Sequence, residues 1–315
     1  MALKDEVLLL LKQANGEYIS GQDLARQLCV SRNAVWKAVS ALKADGCAVD
    51  AATNRGYALL SAPDALDEGQ MAVLLRGAGV DVECFDVIDS TNAEGRRQAA
   101  DLKRPLLLVA DAQTAGRGRR GRSFYSPQKT GLYMTLTVPI ALPLPDAALA
   151  TQALAVAAFR AVVQCGGPEL KIKWVNDLFY EGRKVAGILT EAVANMETGE
   201  TAALVCGIGM NLTTEDFPDD VRAVAGALGR LDRSRLAAQI ALNLLPMLRA
   251  LPEHPWMDEY RRRSFLLGQD VTFTQNGVSY IARADSIDDI GRLLVTLPDG
   301  TGMTLSSGEV SVRLK

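Results

Sequence analysis

Gly116-Arg-Gly-Arg-Arg-Gly-Arg122 is a segment in which four arginines are interleaved with three glycines. Glycine permits positive φ angles and a close approach of the backbone to a ligand, and each guanidinium presents a planar fork of donors that matches phosphate or carboxylate oxygens. The segment therefore predicts a flexible loop that binds an anion. For the heptapeptide alone, the plainer interpretations are a nucleic-acid patch and a solvated basic turn.

Polar segments precede and follow this loop, and together they form an ordered set. They are residues 89–92 (DSTN), 113–122 (QTAGRGRRGR), 173–178 (KWVNDL), 182–189 (GRKVAGIL) and 207–212 (GIGMNL). Each segment alone is a weak signal, whereas their order and spacing are specific. The set resembles the bacterial biotin protein ligases, in particular the bifunctional kind that also represses transcription, and the resemblance extends over nearly the whole chain.

The resemblance implies an α+β protein in three parts: an N-terminal winged helix-turn-helix (1–62), a mixed-sheet ligase domain similar to class II aminoacyl-tRNA synthetases (65–268), and an SH3-like β-barrel (269–315). It also implies that biotin and ATP form biotinyl-5'-AMP and pyrophosphate with Mg²⁺, and that biotin then passes to a lysine. The lysine belongs to the biotin carboxyl carrier protein of acetyl-CoA carboxylase or of another biotin-dependent enzyme. The other implied partners are operator DNA and, in the liganded state, a second copy of the chain.

Composition limits the partners and the compartment. The net charge is -3 and the sequence pI is about 5.4, so no overall positive field holds nucleic acid or an anionic membrane, and any DNA contact is local. The apolar run 7–11 is short and flanked by charges, unlike a membrane span or a signal peptide. Five scattered cysteines without a CxxC pair argue against a disulfide framework or a zinc site. These features predict a soluble cytoplasmic protein with reduced, buried thiols, and a lone histidine, His254, disfavours a Ser-His-Asp triad.

Hydrophobic periodicity in the first 60 residues predicts three helices and a hairpin. Ser31 is a good N-cap for the third helix, and Gly46 is a good C-terminal stop. Only residues 29–31 separate the second and third helices, as in a helix-turn-helix. The predicted helices are 3–14, 22–28 and 32–44, and the predicted wing strands are 49–53 and 57–60.

The third predicted helix has one apolar face and one polar face. The polar face is predicted to enter a DNA major groove, with a wing arginine at a backbone phosphate. The predicted DNA-binding residues are Ser31, Arg32, Asn33, Trp36, Lys37, Ser40, Lys43 and Arg55. The alternative is a helical protein-interaction domain, since residues 1–60 carry seven Lys or Arg against six Asp or Glu. The preference for DNA rests mostly on the family resemblance.

In the central part, strand-like and helical runs alternate without regular βαβ repetition, which favours a mixed sheet. Neither a dinucleotide-binding GxGxxG in a βαβ unit nor a Walker GxxxxGK[ST] occurs, so a Rossmann or P-loop site is not supported. Beyond residue 269, short alternating runs with Asn-Gly, Asp-Gly and Ser-Gly hairpin signals predict a small barrel. The central strands are predicted at 82–88, 106–110, 132–138, 170–174, 184–193 and 202–208, the long helices at 147–164 and 234–250, and the C-terminal strands at 271–274, 279–285, 292–297, 303–305 and 310–314.

The resemblance assigns the reaction to a few charged residues. The biotin carboxylate and the α-phosphate are both anions, so fixed cations must bring them together. Arg117, Arg119 and Lys184 are the predicted cations, and Asp177 is the fourth predicted catalytic residue and the predicted Mg²⁺ ligand. Without the surrounding motifs, a lysine after the tight turn 181–183 is an ordinary surface residue of a hairpin.

Short polar side chains that offer both donors and acceptors suit the ureido ring of biotin. The residues predicted to bind biotin are Ser90, Thr91, Asn92, Gln113, Arg117, Gly118, Arg119 and Lys184. The residues predicted to bind ATP are Arg119, Arg122, Phe124, Asn176, Lys184 and Asn211. Residues 89–92 also have the composition of an ordinary helix cap, a role that can coexist with ligand binding.

Two residues depart from the pattern of the family. Val175 stands where proline is common, and Phe124 stands where the best-known members have a tryptophan that stacks on adenine. Phenylalanine has a smaller π face, so we predict weaker retention of the adenylate without loss of activity. Phe124→Trp is expected to slow the release of biotinyl-5'-AMP, measured with labelled adenylate, and faster release would contradict the prediction.

Three functions are compatible with these residues. The first is a biotin ligase that also represses transcription. The second is a repressor whose central domain senses a small acid without catalysis, and single-turnover adenylate formation separates it from the first. The third is ligation of a related acid such as lipoate, whose apolar dithiolane does not need the polar array at Ser90, Thr91, Asn92 and Gln113. In each ligase the mixed anhydride is already activated, so no covalent acyl-enzyme is expected.

Overall fold

The computed structural model confirms an α+β architecture with an N-terminal helix-turn-helix, a central mixed sheet and a C-terminal antiparallel sheet. No helix in the described part of the chain is long and apolar enough to cross a membrane. The described residues are 2–14, 16–61, 65–143, 147–194, 201–251, 253–275 and 277–306, with the backbone of 313–314.

Serine side chains begin two of the three N-terminal helices. Ser20 Oγ accepts a hydrogen bond from Asp23 N at 3.0 Å, and Ser31 Oγ accepts one from Ala34 N at 3.1 Å. The helices and the hairpin that follows them are α1 Leu3–Gln13, α2 Gly21–Gln27, α3 Arg32–Ala44, β1 Ala48–Ala52 and β2 Gly56–Ser61. The predicted third helix agrees with α3 at both ends.

The central sheet has the strand order β3-β4-β5-β9-β8-β7-β6 within the described residues. The pair β3 and β4 is parallel and the other pairs are antiparallel, so the predicted mixed sheet is confirmed. The strands are β3 Asp81–Ile88, β4 Leu106–Gln113, β5 Gly131–Leu142, β6 Lys171–Lys173, β7 Asp177–Tyr180, β8 Arg183–Ala194 and β9 Thr201–Asn211. Strand β7 was not predicted from the sequence.

Helices cover both faces of this sheet. They are α4 Glu68–Leu74, α5 Thr91–Gln98, α6 Ala150–Gln164, α7 Asp219–Arg222, α8 Arg233–Arg249 and α9 Met257–Arg263. Along β5, Met134 belongs to the core beneath α6 and α8, whereas the neighbouring Thr135 contacts the position of Gly95 in α5. Since successive strand residues face opposite sides, α5 lies on the face opposite α6 and α8.

The C-terminal strands form an antiparallel sheet in the order β13-β12-β11-β10-β14. The predicted Asp299-Gly300 turn joins β12 and β13, with Gly300 at φ 87° and Leu297 N donating to Thr301 O at 2.8 Å. The other hairpin signals include Asn276, Ser307 and Gly308, which lie outside the described residues. The strands are β10 Asp270–Gln275, β11 Val278–Ile287, β12 Leu293–Thr296, β13 Gly302–Leu305 and β14 Arg313–Leu314.

A polar cluster joins α1 to the central part of the molecule. Lys12 Nζ lies 2.6 Å from Asp232 Oδ2 and donates to Gln70 Oε1 at 2.7 Å. Asp232 Oδ1 also accepts from Arg235 N at 3.0 Å and so caps α8. Burial acts to raise the pKa of Asp232, but the contacts with Lys12, Arg235 and Gln70 outweigh it and the pKa is lowered. The position of α1 is thereby tied to the start of α8.

The cysteines differ in exposure, and all five are unpaired. Cys29 is exposed, contrary to the prediction of buried thiols, whereas Cys206 is fully buried and burial raises its pKa to about 12. At pH 8 a thiol with that pKa is about one part in 10⁴ thiolate, the reactive form. Iodoacetamide is therefore expected to label Cys29 first and Cys206 only after unfolding, as peptide mass spectrometry can show. Labelling of Cys206 in the native protein at the rate of Cys29 would contradict this expectation.

Candidate functional site

The polar side chains predicted for biotin line one pocket at the end of the central sheet. Ser90 caps α5, Thr91 and Asn92 begin that helix, and Gln113 ends β4. With Arg117 of the Gly-Arg loop they line a cavity of about 20 Å³. About 10–15 Å³ of such space is enough for one water molecule, so the cavity has room for little more than one, and the surrounding side chains must move before a ligand the size of biotin enters.

Gln113 is oriented by the first residue of α5. Its Oε1 accepts hydrogen bonds from Thr91 N at 2.9 Å and Thr91 Oγ1 at 3.2 Å, and its Nε2 donates to Ser126 Oγ at 2.9 Å. A backbone N–H can only donate, so turning the amide over would break the first of these bonds. Among the described contacts, one N–H of the Gln113 side-chain amide has no acceptor. It is available to donate to a ligand, for example to a ureido carbonyl.

Asn92 is held by the protein itself. Its Nδ2 donates to Leu189 O and to Glu191 Oε2, both at 3.0 Å, and its Oδ1 lies 2.8 Å from Thr135 Oγ1. Both amide hydrogens are thus used within the structure, and Asn92 forms a rigid wall of the pocket. Its direct contact with biotin stays a prediction.

Two glycines of β9 allow side chains to lie directly on the sheet. A Cβ atom on Gly207 would lie 1.7 Å from Asn92 Oδ1, and one on Gly209 would lie 2.4 Å from the ring of Phe124. Real Cβ atoms do not make contacts this short, so any other residue at either position displaces Asn92 or Phe124. No role is predicted for these two glycines from the sequence. The sequence signal is that the two glycines occupy alternate positions of one strand. Both therefore face the same side of the sheet.

The Gly-Arg loop is folded back on itself. Gly118 N donates to Arg122 O at 2.7 Å, and Phe124 N donates to Gly116 O at 2.9 Å. Residues Arg119–Gly121 form a short 3₁₀ turn in which Arg120 has φ 58°. The prediction that glycines allow this loop to turn sharply agrees with Gly121, which has φ 73°.

The ring of Phe124 lies inside the pocket. It packs on Gly209 and meets the ring of Tyr133 edge to face, with 6.4 Å between the centroids. Phe124 is thus placed beside the residues predicted for biotin, although the resemblance assigned it to adenine. Its stacking on adenine stays a prediction.

On the other side of the pocket, Arg119 reaches the predicted nucleotide residues. Arg119 Nη1 donates to Asn176 Oδ1 at 3.3 Å, and Asn176 Nδ2 donates to Ile188 O at 3.0 Å. Burial lowers the pKa of Arg119, and the like charge of Arg120 lowers it further. A partly desolvated guanidinium attracts an incoming anion more strongly than an exposed one does.

Lys184 and Asp177 form the closest charge contact of the site. Lys184 Nζ lies 2.6 Å from Asp177 Oδ1, the distance of a close ion pair, and this carboxylate oxygen is buried. The backbone of Lys184 is clamped, because its N–H donates to Val224 O at 2.7 Å and its carbonyl accepts from Gly226 N at 2.9 Å. The backbone that carries the ammonium is therefore fixed on both sides.

The remaining predicted ligand residues are distributed around this centre. Asn211 is buried and donates through Nδ2 to Gly226 O at 3.1 Å. Arg117 and Arg122 are exposed, and Gly118 is half-buried in the loop between them. The structure therefore brings Arg119, Asn176 and the pair Lys184–Asp177 together, while Arg122 lies on the outer part of the loop.

Asp177 is the residue to consider for a metal. No group of three or more His, Cys, Asp or Glu that could hold a metal ion occurs in the described part of the chain. Mg²⁺, however, is commonly held by one or two carboxylates and completed by substrate phosphates and water. The buried carboxylate oxygen of Asp177, which is paired with Lys184 in this structure, fits such a role once Lys184 turns to the substrate oxygens.

The residues predicted for DNA contact are all exposed on the N-terminal unit. Trp36 is 57% exposed, which is unusual for an indole without a partner surface. In the hairpin, the guanidinium of Arg55 lies over the ring of Tyr18 at 4.0 Å from its centroid and so has a defined direction. Ser31 and Ser40 are used locally, as the N-cap of α3 and as a donor to Trp36 O at 2.9 Å.

Comparison with known proteins agrees with this arrangement. The model of the biotin/lipoate A/B protein ligase family matches residues 84–211, and a helix-turn-helix domain model matches residues 4–58. The bifunctional ligase/repressor BirA of Bacillus spizizenii is 32% identical over 310 residues, which are 95% of this chain and 95% of the relative. The chain belongs to the family of bifunctional biotin ligase/repressors.

A second relative and a solved structure are also similar to this ligase/repressor. The BirA protein of Escherichia coli is 29% identical over 313 residues, which are 97% of this chain and 96% of that one. The biotin protein ligase of Aquifex aeolicus, solved in complex with biotin and ATP, has a TM-score of 0.58 at 22% identity, covering 74% of this chain and 99% of that chain. At this identity the second likeness shows the fold of the ligase part.

Proposed function

We propose that this ligase/repressor condenses biotin with ATP to give biotinyl-5'-AMP and pyrophosphate, and then transfers biotin to a lysine of a biotin carboxyl carrier protein. One observation carries the proposal: a polar pocket, in which Arg117 is the charged residue among those lining it, adjoins a cationic centre. A Cβ on Gly187, which lines the pocket of Thr91 and Gln113, would lie 3.3 Å from Lys184 Nζ. The acid end of a ligand in this pocket therefore reaches Lys184.

In the first step a carboxylate oxygen of biotin attacks the α-phosphorus of ATP, and the bond from that phosphorus to the β-phosphate oxygen breaks. Arg119 and Lys184 offset the repulsion between the two anions and stabilise the charge that develops on the phosphate. In this structure Lys184 contacts Asp177, so binding exchanges a protein carboxylate for substrate oxygens. Asn176 keeps Arg119 directed toward the centre through the 3.3 Å contact.

Mg²⁺ bound beside Asp177 would neutralise charge on the phosphates of ATP. The protein supplies one carboxylate there, and Arg119 and Lys184 supply the fixed positive charge around it.

In the second step the amine of the carrier lysine attacks the acyl carbon of the adenylate. The bond from that carbon to the phosphate oxygen breaks, AMP leaves, and a proton passes to water. The anhydride is already activated, so the enzyme contributes proximity and charge neutralisation. Buried Cys206 does not serve as an acyl carrier, since burial raises its pKa to about 12 and leaves it protonated.

The exposed polar face of α3 and the hairpin are proposed to bind operator DNA. Seven predicted contacts are in or beside the exposed side of α3, including Trp36 and Lys37, and Arg55 is directed by Tyr18. The near-neutral charge of the first 60 residues makes one copy a weak DNA binder, so a homodimer formed in the liganded state and spanning two half-sites is part of the proposal.

The finer features of the fold are proposed from the resemblance. They are a class II synthetase-like ligase domain at 65–268, a winged helix-turn-helix at 1–62, and closure of the C-terminal sheet into an SH3-like barrel at 269–315. The five unpaired cysteines agree with a reducing cytoplasm as the place of action.

The test is biotin-dependent release of pyrophosphate from ATP by the purified protein, with lipoate in place of biotin as the second arm. Release with biotin alone is the expected result, because the donors of Gln113 and the wall formed by Asn92 suit a ureido ring rather than an apolar dithiolane. Release with lipoate and not biotin would assign the site to that acid. Binding of biotin without release would assign the chain to ligand-sensing repressors.

A further inference from the structure

The segment that leads into the catalytic centre is held by the C-terminal part of the molecule. The Tyr260 hydroxyl donates to Val175 O at 2.9 Å, and Trp174 Nε1 donates to Gly291 O at 2.9 Å. Tyr260 lies in α9, and Gly291 lies between β11 and β12. Both residues directly before Asn176 are thus anchored to elements far along the chain.

Tyr260 is completely buried, and a buried hydroxyl requires a partner. Burial raises its pKa far above the usual value, and the positive charge of Arg119 opposes this only in part. The phenol therefore stays protonated at every physiological pH and acts as a donor. The carbonyl of Val175 is the acceptor that it holds.

Tyr260 acts on the site through the backbone. Val175 lines, together with Arg119, a cavity of about 250 Å³ beside the catalytic centre, and Tyr260 is not one of the described residues that line it. The next two residues after Val175 are Asn176, which binds Arg119, and Asp177, which contacts Lys184. A rotation of the Val175 peptide would displace both of these side chains.

The hydrogen bond of the Trp174 indole to Gly291 holds the residue before Val175 in place. Gly291 O accepts from Trp174 Nε1 and also from Gln152 Nε2 at 3.4 Å. Gly291 has φ 78°, and a Cβ there would lie 2.2 Å from Gln152 Nε2, so only glycine fits. With Trp174 fixed, the Tyr260 hydrogen bond sets the direction of the Val175 carbonyl.

We propose that Tyr260 is a positioning residue for the nucleotide side of the site: its hydroxyl fixes the Val175 carbonyl and thereby the placement of Asn176 and Asp177. The inference rests on the proposed adenylation reaction. It assigns the effect to ATP rather than to biotin, because the biotin pocket at Thr91 and Gln113 is built from α5 and β4.

Tyr260→Phe removes the hydroxyl and keeps the ring, so the buried packing is preserved. We expect KM for ATP to rise about 5-fold, a loss comparable in size to one hydrogen bond, because Asn176 and Asp177 are no longer held in place, with KM for biotin unchanged. Steady-state pyrophosphate release gives both constants, and thermal denaturation with direct biotin titration shows that the variant is folded. Tyr280→Phe is the matched control: Tyr280 stacks on Phe273 in the C-terminal sheet, and its loss of a hydroxyl is expected to leave both constants unchanged.

An unchanged KM for ATP overturns the inference. A parallel rise of both KM values with a lowered melting temperature also overturns it, since the hydroxyl would then serve stability alone. A wild-type protein that releases no pyrophosphate with biotin contradicts the proposed function instead. In that case direct titration of ATP into wild type and Tyr260→Phe still decides the role of Tyr260, with weaker binding by the variant expected and equal binding contradicting it.

Discussion

Lys184→Ala is expected to lower biotin-dependent pyrophosphate release by about 10²- to 10³-fold, the usual effect of removing a group that stabilises developing charge. The ammonium lies 2.6 Å from Asp177 Oδ1, and the Lys184 backbone is clamped by Val224 and Gly226, so this positive charge is held at the centre in the wild-type protein. Biotin binding without ATP is expected to fall far less, because Thr91 and Gln113 are held by separate contacts.

The measurement is a single-turnover assay of adenylate formation, with a direct titration of biotin beside it. Lys171→Ala is the matched control, since Lys171 is an exposed lysine in β6 of the same sheet and is expected to keep the wild-type rate. If Lys184→Ala also keeps that rate, Lys184 is a surface residue of the β7–β8 hairpin and the cationic centre is Arg119 alone.

The sequence predicted the elements whose local signals agree. Helix α3 was predicted at both ends because Ser31 is a good cap and the apolar residues recur at helical spacing. Strand β7 was missed, since Asp177–Tyr180 is only four residues long and owes its strand conformation to pairing with β8. A segment of four residues is too short to show the hydrophobic periodicity of a strand, even when a pairing partner stabilises it.

For the site, the family motifs supplied the residues but not their contacts. Asn92 was assigned to biotin, and its amide hydrogens are in fact used by Leu189 and Glu191, nearly a hundred residues later. Phe124 was assigned to adenine, and its ring lies on Gly209. Neither contact follows from local pattern, because both depend on how distant strands align in the sheet.

Contacts between the parts of the molecule were also beyond local pattern. Lys12 and Asp232 are 220 positions apart, and each looks like an ordinary helix-end charge in the sequence. Similarly, Tyr260 sits in a short charged helix, MDEYRRR, whose composition gives no sign that the tyrosine is buried. Such tertiary contacts determine how the sites sit on the fold, and they require the structure.

Gly207→Ala is expected to weaken biotin binding by roughly 5- to 150-fold, which corresponds to the cost of about 1–3 kcal/mol for overfilling a packed site. The added Cβ would lie 1.7 Å from Asn92 Oδ1, so Asn92 must move. That movement breaks its bonds to Leu189 and Glu191 and displaces the start of α5, where Thr91 orients Gln113. Isothermal titration of biotin into the folded variant measures the loss.

A second substitution separates this steric account from other roles of the glycine. Asn92→Ala removes the atoms that the new methyl group would strike, so Gly207→Ala should cost little further affinity in that background, giving a large coupling energy in the double-mutant cycle. Gly302→Ala in β13, where a Cβ would have no neighbour within 4 Å, should leave biotin binding unchanged. Additive losses at Asn92 and Gly207 would contradict the steric account. They would mean that Gly207 is needed because the ligand itself approaches the strand closely, independently of Asn92.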